Sequence, residues 1–286
     1  MKPGPFTHHE PQTLEEAVQM LAEVAPDEGR VLAGGQTLIP AMALRLARPA
    51  HLVDINRIES LQRLQAENGF LHIGACVRHA AFHRPPVEGP LGELLAAVVR
   101  HIAHLPIRNR GTFCGSVANA DGASEWCLAA VTLDAVLVAD SVRGRREIPA
   151  GEFFLGYMMT ALEPDELLSA VRLPLLPAGA RFGFEEYSRR AGDFAQAMCL
   201  AVFELRDGAM ARVRIGVGGV AGSVLRLPAA EAACEGRLPD PAVFAQASAA
   251  AAAAIEPADA TEEEQDYRRA LTHTVVSRAL ARAAGC

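Results

Sequence analysis

Leu14, Ala17, Val18, Leu21 and Ala22 recur at the period of a helix, just behind Thr13 and with Glu16 three residues beyond it. That spacing predicts a capping box and an amphipathic helix, because a threonine hydroxyl accepts from the third helical amide while the glutamate returns a bond. A short apolar run at residues 31–33 then meets Gly34 and Gly35, followed by Gln36 and Thr37. Leu38, Met42, Leu44 and Leu46 continue at roughly helical spacing until Pro49, after which Leu52, Val53 and Ile55 resume an extended run. The pattern reads strand, glycine turn, helix, strand. Residues 61–65 and 70–73 read as strands of a hairpin around Glu67-Asn68-Gly69, since Asn-Gly favours turns that match strand twist. After a proline-interrupted loop, residues 91–101 form a helix with Leu94, Leu95, Val98 and Val99 inward.

From Pro106 the periodicity lapses. The stretch P-I-R-N-R-G-T-F-C-G-S-V-A-N-A-D-G-A-S-E-W is dense in Gly, Asn, Ser, Thr and Asp and carries few of the charges of a solvated loop. It reads either as a loop offering Thr112, Ser116, Asn119 and backbone amides to a polar ligand, or as a buried loop whose polar groups satisfy one another. A short helix at 128–133, strands at 135–142 and 147–149 around the turn at 143–145, a core anchor at Phe153 and Phe154, and a final strand ending at Pro174 complete this region. The proline-rich joint at 173–179 predicts a domain boundary, dividing the chain into 1–176, with subdomains of about 1–56 and 57–176, and 180–286. Beyond it, Met210, Arg212 and Arg214 alternate with Ala211, Val213 and Ile215 after a turn at 206–209. Antiparallel strands with one solvated face are expected. Helices follow at 228–235, 242–255 and 262–284.

Composition narrows the class. Half of the 286 residues are hydrophobic, and the net charge of −7 is spread along the chain apart from a short acidic run at 262–264. Nucleic acid is therefore not an expected partner, since phosphate backbones need a basic surface. No apolar run approaches the roughly 20 residues of a membrane span, and the start of the chain lacks the apolar core of a signal peptide. A cytoplasmic protein is expected. The cysteines at 76, 114, 127, 199, 234 and 286 show no ligand-like clustering, so buried, inert thiols are expected, with no zinc or iron–sulfur site in the chain. His79 and His83 have the spacing of a helical metal pair, but without an H-E-x-x-H signature a solvated helix face is expected. Gly216-Val217-Gly218-Gly219-Val220-Ala221 matches the short form of the dinucleotide fingerprint, yet the strand before it is half polar and Pro228 interrupts any following helix. Asp54 follows Gly34 at the spacing of a ribose-binding acid, which without the third glycine is fortuitous.

Paired glycines at 34–35 let the main chain approach a ligand closely, and successive amides at a helix start favour an anion such as phosphate. An ordinary tight turn is the alternative. The ordered set A-G-G-Q-T-L-I-P with H-L-V-D-I-N, I-R-N-R-G-T-F-C-G-S-V-A-N-A-D, F-F-x-G-Y, D-E-L-L-S-A-V-R-L-P and R-R-A-G-D-F-A resembles one family over nearly the whole chain, residues 6–280. It is that of the FAD-binding medium subunits of molybdenum hydroxylases, the carbon monoxide dehydrogenase and xanthine dehydrogenase group. The resemblance implies an α+β fold: a vanillyl-alcohol-oxidase/PCMH-type FAD-binding domain of two α+β subdomains, then a C-terminal domain with a three-stranded antiparallel sheet and helices. It implies that Ala33, Gly34, Gly35, Gln36 and Thr37, with Leu32, Leu38 and Ile39, hold the FAD pyrophosphate. Thr112, Phe113, Cys114, Gly115 and Ser116 match the second cofactor-wrapping motif. Glu125 matches an acidic contact, Leu168 an apolar contact near the flavin, and Phe194 an aromatic beside the isoalloxazine. Two departures stand out. Cys114 replaces a family glycine, which would cost about 1–2 kcal/mol if that position needs positive φ. A family lysine upstream of Arg189-Arg190 is absent, with Glu185 in the equivalent region.

The function so implied is electron transfer through bound FAD, with no residue of this chain performing the hydroxylation. The resemblance implies a small subunit with two iron–sulfur clusters, a large molybdopterin subunit, an assembly as a dimer of heterotrimers, and an external acceptor such as quinone, NAD or oxygen. Two rivals are an independent FAD-dependent oxidase and a cofactor-free scaffolding subunit.

Overall fold

The computed structural model describes residues 2–256 and 261–285. Three short strands, β1 (Thr7–His9), β2 (Arg30–Leu32) and β3 (His51–Asp54), pair in parallel in the order β1-β3-β2. Between the first two runs α1 (Leu14–Val24), with Ala17, Val18, Leu21 and Val24 buried. Its start follows the predicted chemistry with one shift. Thr13 Oγ1 accepts from the Glu16 amide at 3.1 Å, while the Glu16 carboxylate accepts from the Gln12 amide at 2.7 Å. Helix α2 (Leu38–Ala43) is shorter than its apolar spacing suggested, because Arg45 turns to a φ of 60° and closes it. Leu44 and Leu46 consequently face outward.

The second sheet is five-stranded and antiparallel, in the order β4-β5-β10-β6-β7. Its strands are β4 (Leu64–Glu67), β5 (Phe70–Gly74), β6 (Val136–Ser141), β7 (Gly144–Pro149) and β10 (Leu167–Pro174), and β8 (Phe154–Gly156) with β9 (Met159–Thr160) makes a separate hairpin. Asn68 and Gly69, at φ of 50° and 81°, form the two-residue turn between β4 and β5. Leu61 is not in that hairpin; it is the buried residue of an otherwise exposed 3-10 turn, Glu59–Gln62. Strand β6 has five of its six residues buried, since α1 and α7 (Ala150–Phe153) both pack on it. Helix α3 (Pro90–Val98) forms as its periodicity predicts, with Leu91, Leu94, Leu95 and Val98 buried.

The polar stretch from Pro106 is not a loop. It folds into α4 (Leu105–Arg108), α5 (Phe113–Asn119) and α6 (Glu125–Thr132). The side chains that made it look loop-like are helix caps. Thr112 Oγ1 accepts from the Gly115 amide at 3.0 Å, and Ser124 Oγ from the Cys127 amide at 3.4 Å. Caps of this kind contribute about 1 kcal/mol each. All eight residues of α6 are buried.

In the C-terminal region β11 (Ala180–Tyr187), β12 (Ala197–Arg206) and β13 (Ala209–Gly218) form the expected antiparallel sheet, to which the two-residue β14 (Leu225–Arg226) adds a fourth strand. Helices α8 (Pro228–Cys234), α9 (Pro241–Ala253) and α10 (Glu262–Ala284) complete it. The expected solvated face is absent over β12. Ala197, Cys199, Ala201 and Phe203 join the core with α8–α10, whereas Met198, Leu200 and Val202 join the core of the preceding region. Nor does Met210 share a face with Arg212. Pairing shifts between Val202 and Glu204, Arg212 takes a φ of 52°, and this bulge returns Met210 to the buried side with Val213 and Ile215. The carboxylate of Glu235 accepts from both bulge amides, Arg212 and Val213, at 3.0 Å.

The glycines at 216 and 218 end β13 rather than open a helix: a Cβ on Gly216 would meet Thr132 Oγ1 of α6. All five described cysteines are buried and unpaired, and Cys286 lies outside the described residues. A Cβ on Gly183 would fall on the Ala279 carbonyl oxygen, so this glycine sets how closely α10 lies on β11. Gly183→Ala should therefore destabilise the protein by about 1–3 kcal/mol or more, read as a lowered thermal unfolding midpoint.

Candidate functional site

The first glycine turn leaves the carboxyl end of β2, the end at which open sheets bind ligands. Gly35 takes a φ of 70°, a conformation that costs other residues about 1–2 kcal/mol. Among the described residues, the amides of Gly34, Gly35, Gln36 and Thr37 donate to no protein acceptor. Buried or half-buried amides are normally paired. Four consecutive unpaired donors around a left-handed residue form an anion-binding concavity. The Gln36 side chain braces the turn by donating to the Gly34 carbonyl at 3.1 Å.

The second glycine motif lies directly against the first. A Cβ on Gly34 would fall 2.5 Å from the Arg110 carbonyl oxygen and 2.6 Å from Gly111 Cα, so the turns approach as only glycine allows. Beyond that contact the amides of Thr112 and Cys114 also lack protein acceptors among the described residues. Two side chains hold the seam. Asn56 Nδ2 donates to the Ala33 carbonyl at 2.8 Å, and Asn56 Oδ1 accepts from Arg78 at 2.5 Å. Arg78 also donates to the Arg110 carbonyl. One chain of hydrogen bonds thus runs from the first turn to the second.

Beneath Gly111 lies His79, whose Nε2 sits 2.5 Å from where a Cβ would be. Trp126 Nε1 donates to His79 Nδ1 at 2.9 Å, which puts the imidazole hydrogen on Nε2. Burial, with Arg78 and Arg108 nearby, pushes the His79 pKa down to about 4. The expected solvated histidine face is therefore wrong at this position. His79 is 3% exposed, and its partner in that spacing, His83, accepts at Nε2 from Arg108 at 3.2 Å.

Cys114 is unstrained. It lies in α5 outside the positive-φ residues, and its thiol donates to the Ile73 carbonyl at 3.3 Å inside the core. The expected penalty falls away because the side chain points from the turn into the sheet, leaving the amide free. Burial holds the thiol well above the usual range. Phe113 is likewise a core residue, packed tilted on Phe82 and Trp126. Glu125 opens α6 and is buried, and its pKa is pushed up to about 7 by burial. Leu168 lies in the first core, whereas Phe194 is 73% exposed on the loop after β11. That loop touches the N-terminal region, since a Cβ on Gly192 would meet His104.

The structure thus brings 33–37 and 110–116 together, buries Leu168 in the same core as Phe113 and Cys114, and leaves Phe194 exposed. The supporting roles of Asn56, Arg78 and Trp126 escaped the sequence reading, which took His79 for one of a solvated pair. Their signal was indirect: a half-buried turn carbonyl such as that of Ala33 needs a donor, and Asn56 stands just past the end of β3, beside that turn.

The FAD-binding domain of molybdopterin dehydrogenases matches residues 4–176, and the C-terminal domain of carbon monoxide dehydrogenase flavoproteins matches 182–283. The chain belongs to the FAD-binding medium subunits of the molybdenum hydroxylases. Within this family it is 35% identical to the nicotine 6-hydroxylase medium subunit of Paenarthrobacter nicotinovorans over 99% of both chains. It is 34% identical to the carbon monoxide dehydrogenase medium chain of Hydrogenophaga pseudoflava, over 98% of this chain and 97% of that one. The solved carbon monoxide dehydrogenase from Hydrogenophaga pseudoflava superposes with a TM-score of 0.93 at 37% identity, covering 99% of this chain and 98% of that one. Quinoline 2-oxidoreductase from Pseudomonas putida 86 superposes with a TM-score of 0.91 at 32% identity, over 100% and 99% of the two chains. No helix among the described residues of this medium-subunit homologue is long and apolar enough to cross a membrane.

His79 supplies a test of the packing beneath the second turn. Because its folded pKa lies below the ordinary 6.5, the unfolded chain takes up a proton that the folded ring refuses. Its contribution to stability is present above pH 6.5 and is lost as pH falls through about 4. In an NMR titration the His79 ring should stay neutral from pH 6.5 down towards about 4.

Proposed function

We propose that this chain binds FAD across the two apposed turns and is the electron-transfer subunit of a heteromeric molybdenum hydroxylase, an oxidoreductase. The observation that carries this reading is the Gly34 contact with Arg110 and Gly111, flanked on both sides by unpaired amides. Such a groove suits a diphosphate, which accepts many hydrogen bonds and needs main chain at close range. The amides of 34–37 would hold it from one side and those of 112 and 114 from the other. Phe194, exposed on its loop, would lie beside the isoalloxazine, and Glu125 and Leu168 would meet the cofactor from the second subdomain. Bound FAD supplies a redox centre that takes electrons singly or in pairs. The protein's own work is to hold and shield it.

The domains are taken as 1–176 for FAD, in subdomains of about 1–56 and 57–176, and 180–286 for the C-terminal unit. Electrons would arrive from two iron–sulfur clusters of a small partner subunit, after substrate oxidation at the molybdopterin cofactor of a large one. They would leave to an external acceptor. The complex is read as a cytoplasmic dimer of heterotrimers.

Gentle purification of the complex should yield stoichiometric flavin; a colourless complex would favour a cofactor-free scaffold. Oxidase activity of this chain without partners would favour the independent enzyme. Gly35→Val forces a side chain into a φ of 70°, at about 1–2 kcal/mol. It should weaken flavin binding about tenfold or more, with an unchanged circular dichroism spectrum. Full retention of flavin by this variant would count against placing the diphosphate there.

A further inference from the structure

Strand β11 carries two adjacent glutamates whose side chains leave opposite faces of the C-terminal sheet. Glu185 pairs across with Cys199 on the face that packs against α10, where Arg278 and Arg282 approach it at 3.3 and 2.8 Å. Its charge is met. Glu186 pairs across with Met198 on the other face, the one that closes on the FAD-binding region. There its side chain is 3% exposed, and Oε2 has no hydrogen-bond partner among the described residues. His101 Nδ1, just beyond α3, stands 3.6 Å away, outside hydrogen-bond reach.

A buried carboxyl oxygen with no donor demands an explanation. The other groups acting on this site sharpen the anomaly. Glu125, opening α6, is the charged neighbour that acts on Glu186, and Asp121 acts in turn on Glu125. Burial first, then Glu125, raises Glu186 to about 8, and Glu125 itself stands at about 7. Burial lowers His101, with Glu185 acting to raise it and Arg282 to lower it. Helix α6 packs on β12, whose Met198 pairs with Glu186, and the Gly219 amide donates to the Gly122 carbonyl just before α6, so the two buried carboxyls share this seam, where burial and like charge both favour the protonated form.

We propose that Glu125 and Glu186 form a proton-compensating site on the seam between the FAD-binding region and the C-terminal sheet. The pair takes up a proton when electrons enter the neighbouring flavin and releases it when they leave. This inference rests on the FAD reading above. In the balanced step, electrons come from the iron–sulfur donor; the bond formed on this chain is a carboxyl O–H whose proton comes from solvent, in addition to any proton that the flavin itself takes from solvent on reduction. When the electrons pass to the acceptor, the proton returns to solvent. The physical cause is electrostatic: added negative charge in a poorly solvated interior makes carboxyl ionisation less favourable.

The test uses the purified flavin-bearing complex as wild type, Glu186→Gln and Glu125→Gln. Flavin midpoint potentials are measured spectroelectrochemically across a pH range that brackets 7 and 8. In the wild type the potential should fall more steeply with rising pH than in either variant, because reduction draws an additional proton onto the pair. A purely structural role for Glu186 would not change that slope. The reduced-minus-oxidised infrared spectrum should also show a gain of protonated carboxyl C=O stretch that is missing in Glu186→Gln. Equal slopes, or no carboxyl band in the wild type, would overturn the proton site alone. A wild-type complex that carries no flavin would sink the cofactor reading, and this proposal with it.

Discussion

Gly34 touches the Arg110–Gly111 backbone where any other residue would place a Cβ. The geometry of the site depends on that approach. It brings unpaired amides of two turns, distant in sequence, to the two sides of one groove. Neither turn by itself supplies both sets of amides. The parallel sheet delivers the first turn at the end of β2, and α5, capped by Thr112, delivers the second. Asn56 and Arg78 then cross-link them through backbone carbonyls, so the groove is shaped before a ligand arrives. Preorganisation of this kind lowers the ordering cost of binding.

The support beneath the groove is largely apolar. Phe82, Phe113 and Trp126 pack as a tilted aromatic cluster, and Trp126 fixes the tautomer of the buried His79 under Gly111. Cys114 belongs to this support as well, its thiol directed to the β5 carbonyl of Ile73. A cysteine at this position is thereby harmless to the backbone, since its side chain occupies the core.

A different constraint governs the C-terminal sheet. Its central strand β12 is buried on both faces, against its own helices on one and the FAD-binding region on the other. Such a sheet has no solvent face on which to leave a carboxylate, and Glu185 and Glu186 meet that constraint in opposite ways. Glu185 is neutralised by two arginines of α10. Glu186 is left at the seam with another carboxyl for a neighbour.

Local chemistry was legible wherever neighbours in sequence are also partners in space. The cap at Thr13, the Asn68-Gly69 hairpin, the inward face of α3 and the closing helices follow from spacing, because each is satisfied within a few residues. The glycine turn and the second motif were legible as candidates, and their ordered resemblance named the cofactor. What the sequence could not determine was anything settled by a partner far along the chain. The polar stretch from Pro106 looked like a loop because its Thr and Ser are caps, and a cap is recognised only once its helix exists. Met210 changed faces because a bulge at Arg212 is held by Glu235, 23 residues away. His79 looked solvated until Trp126, 47 residues on, closed over it. Tertiary structure also decided the meeting of Gly34 with Gly111, since a missing Cβ has no signature beyond the glycine itself until a second backbone occupies its place.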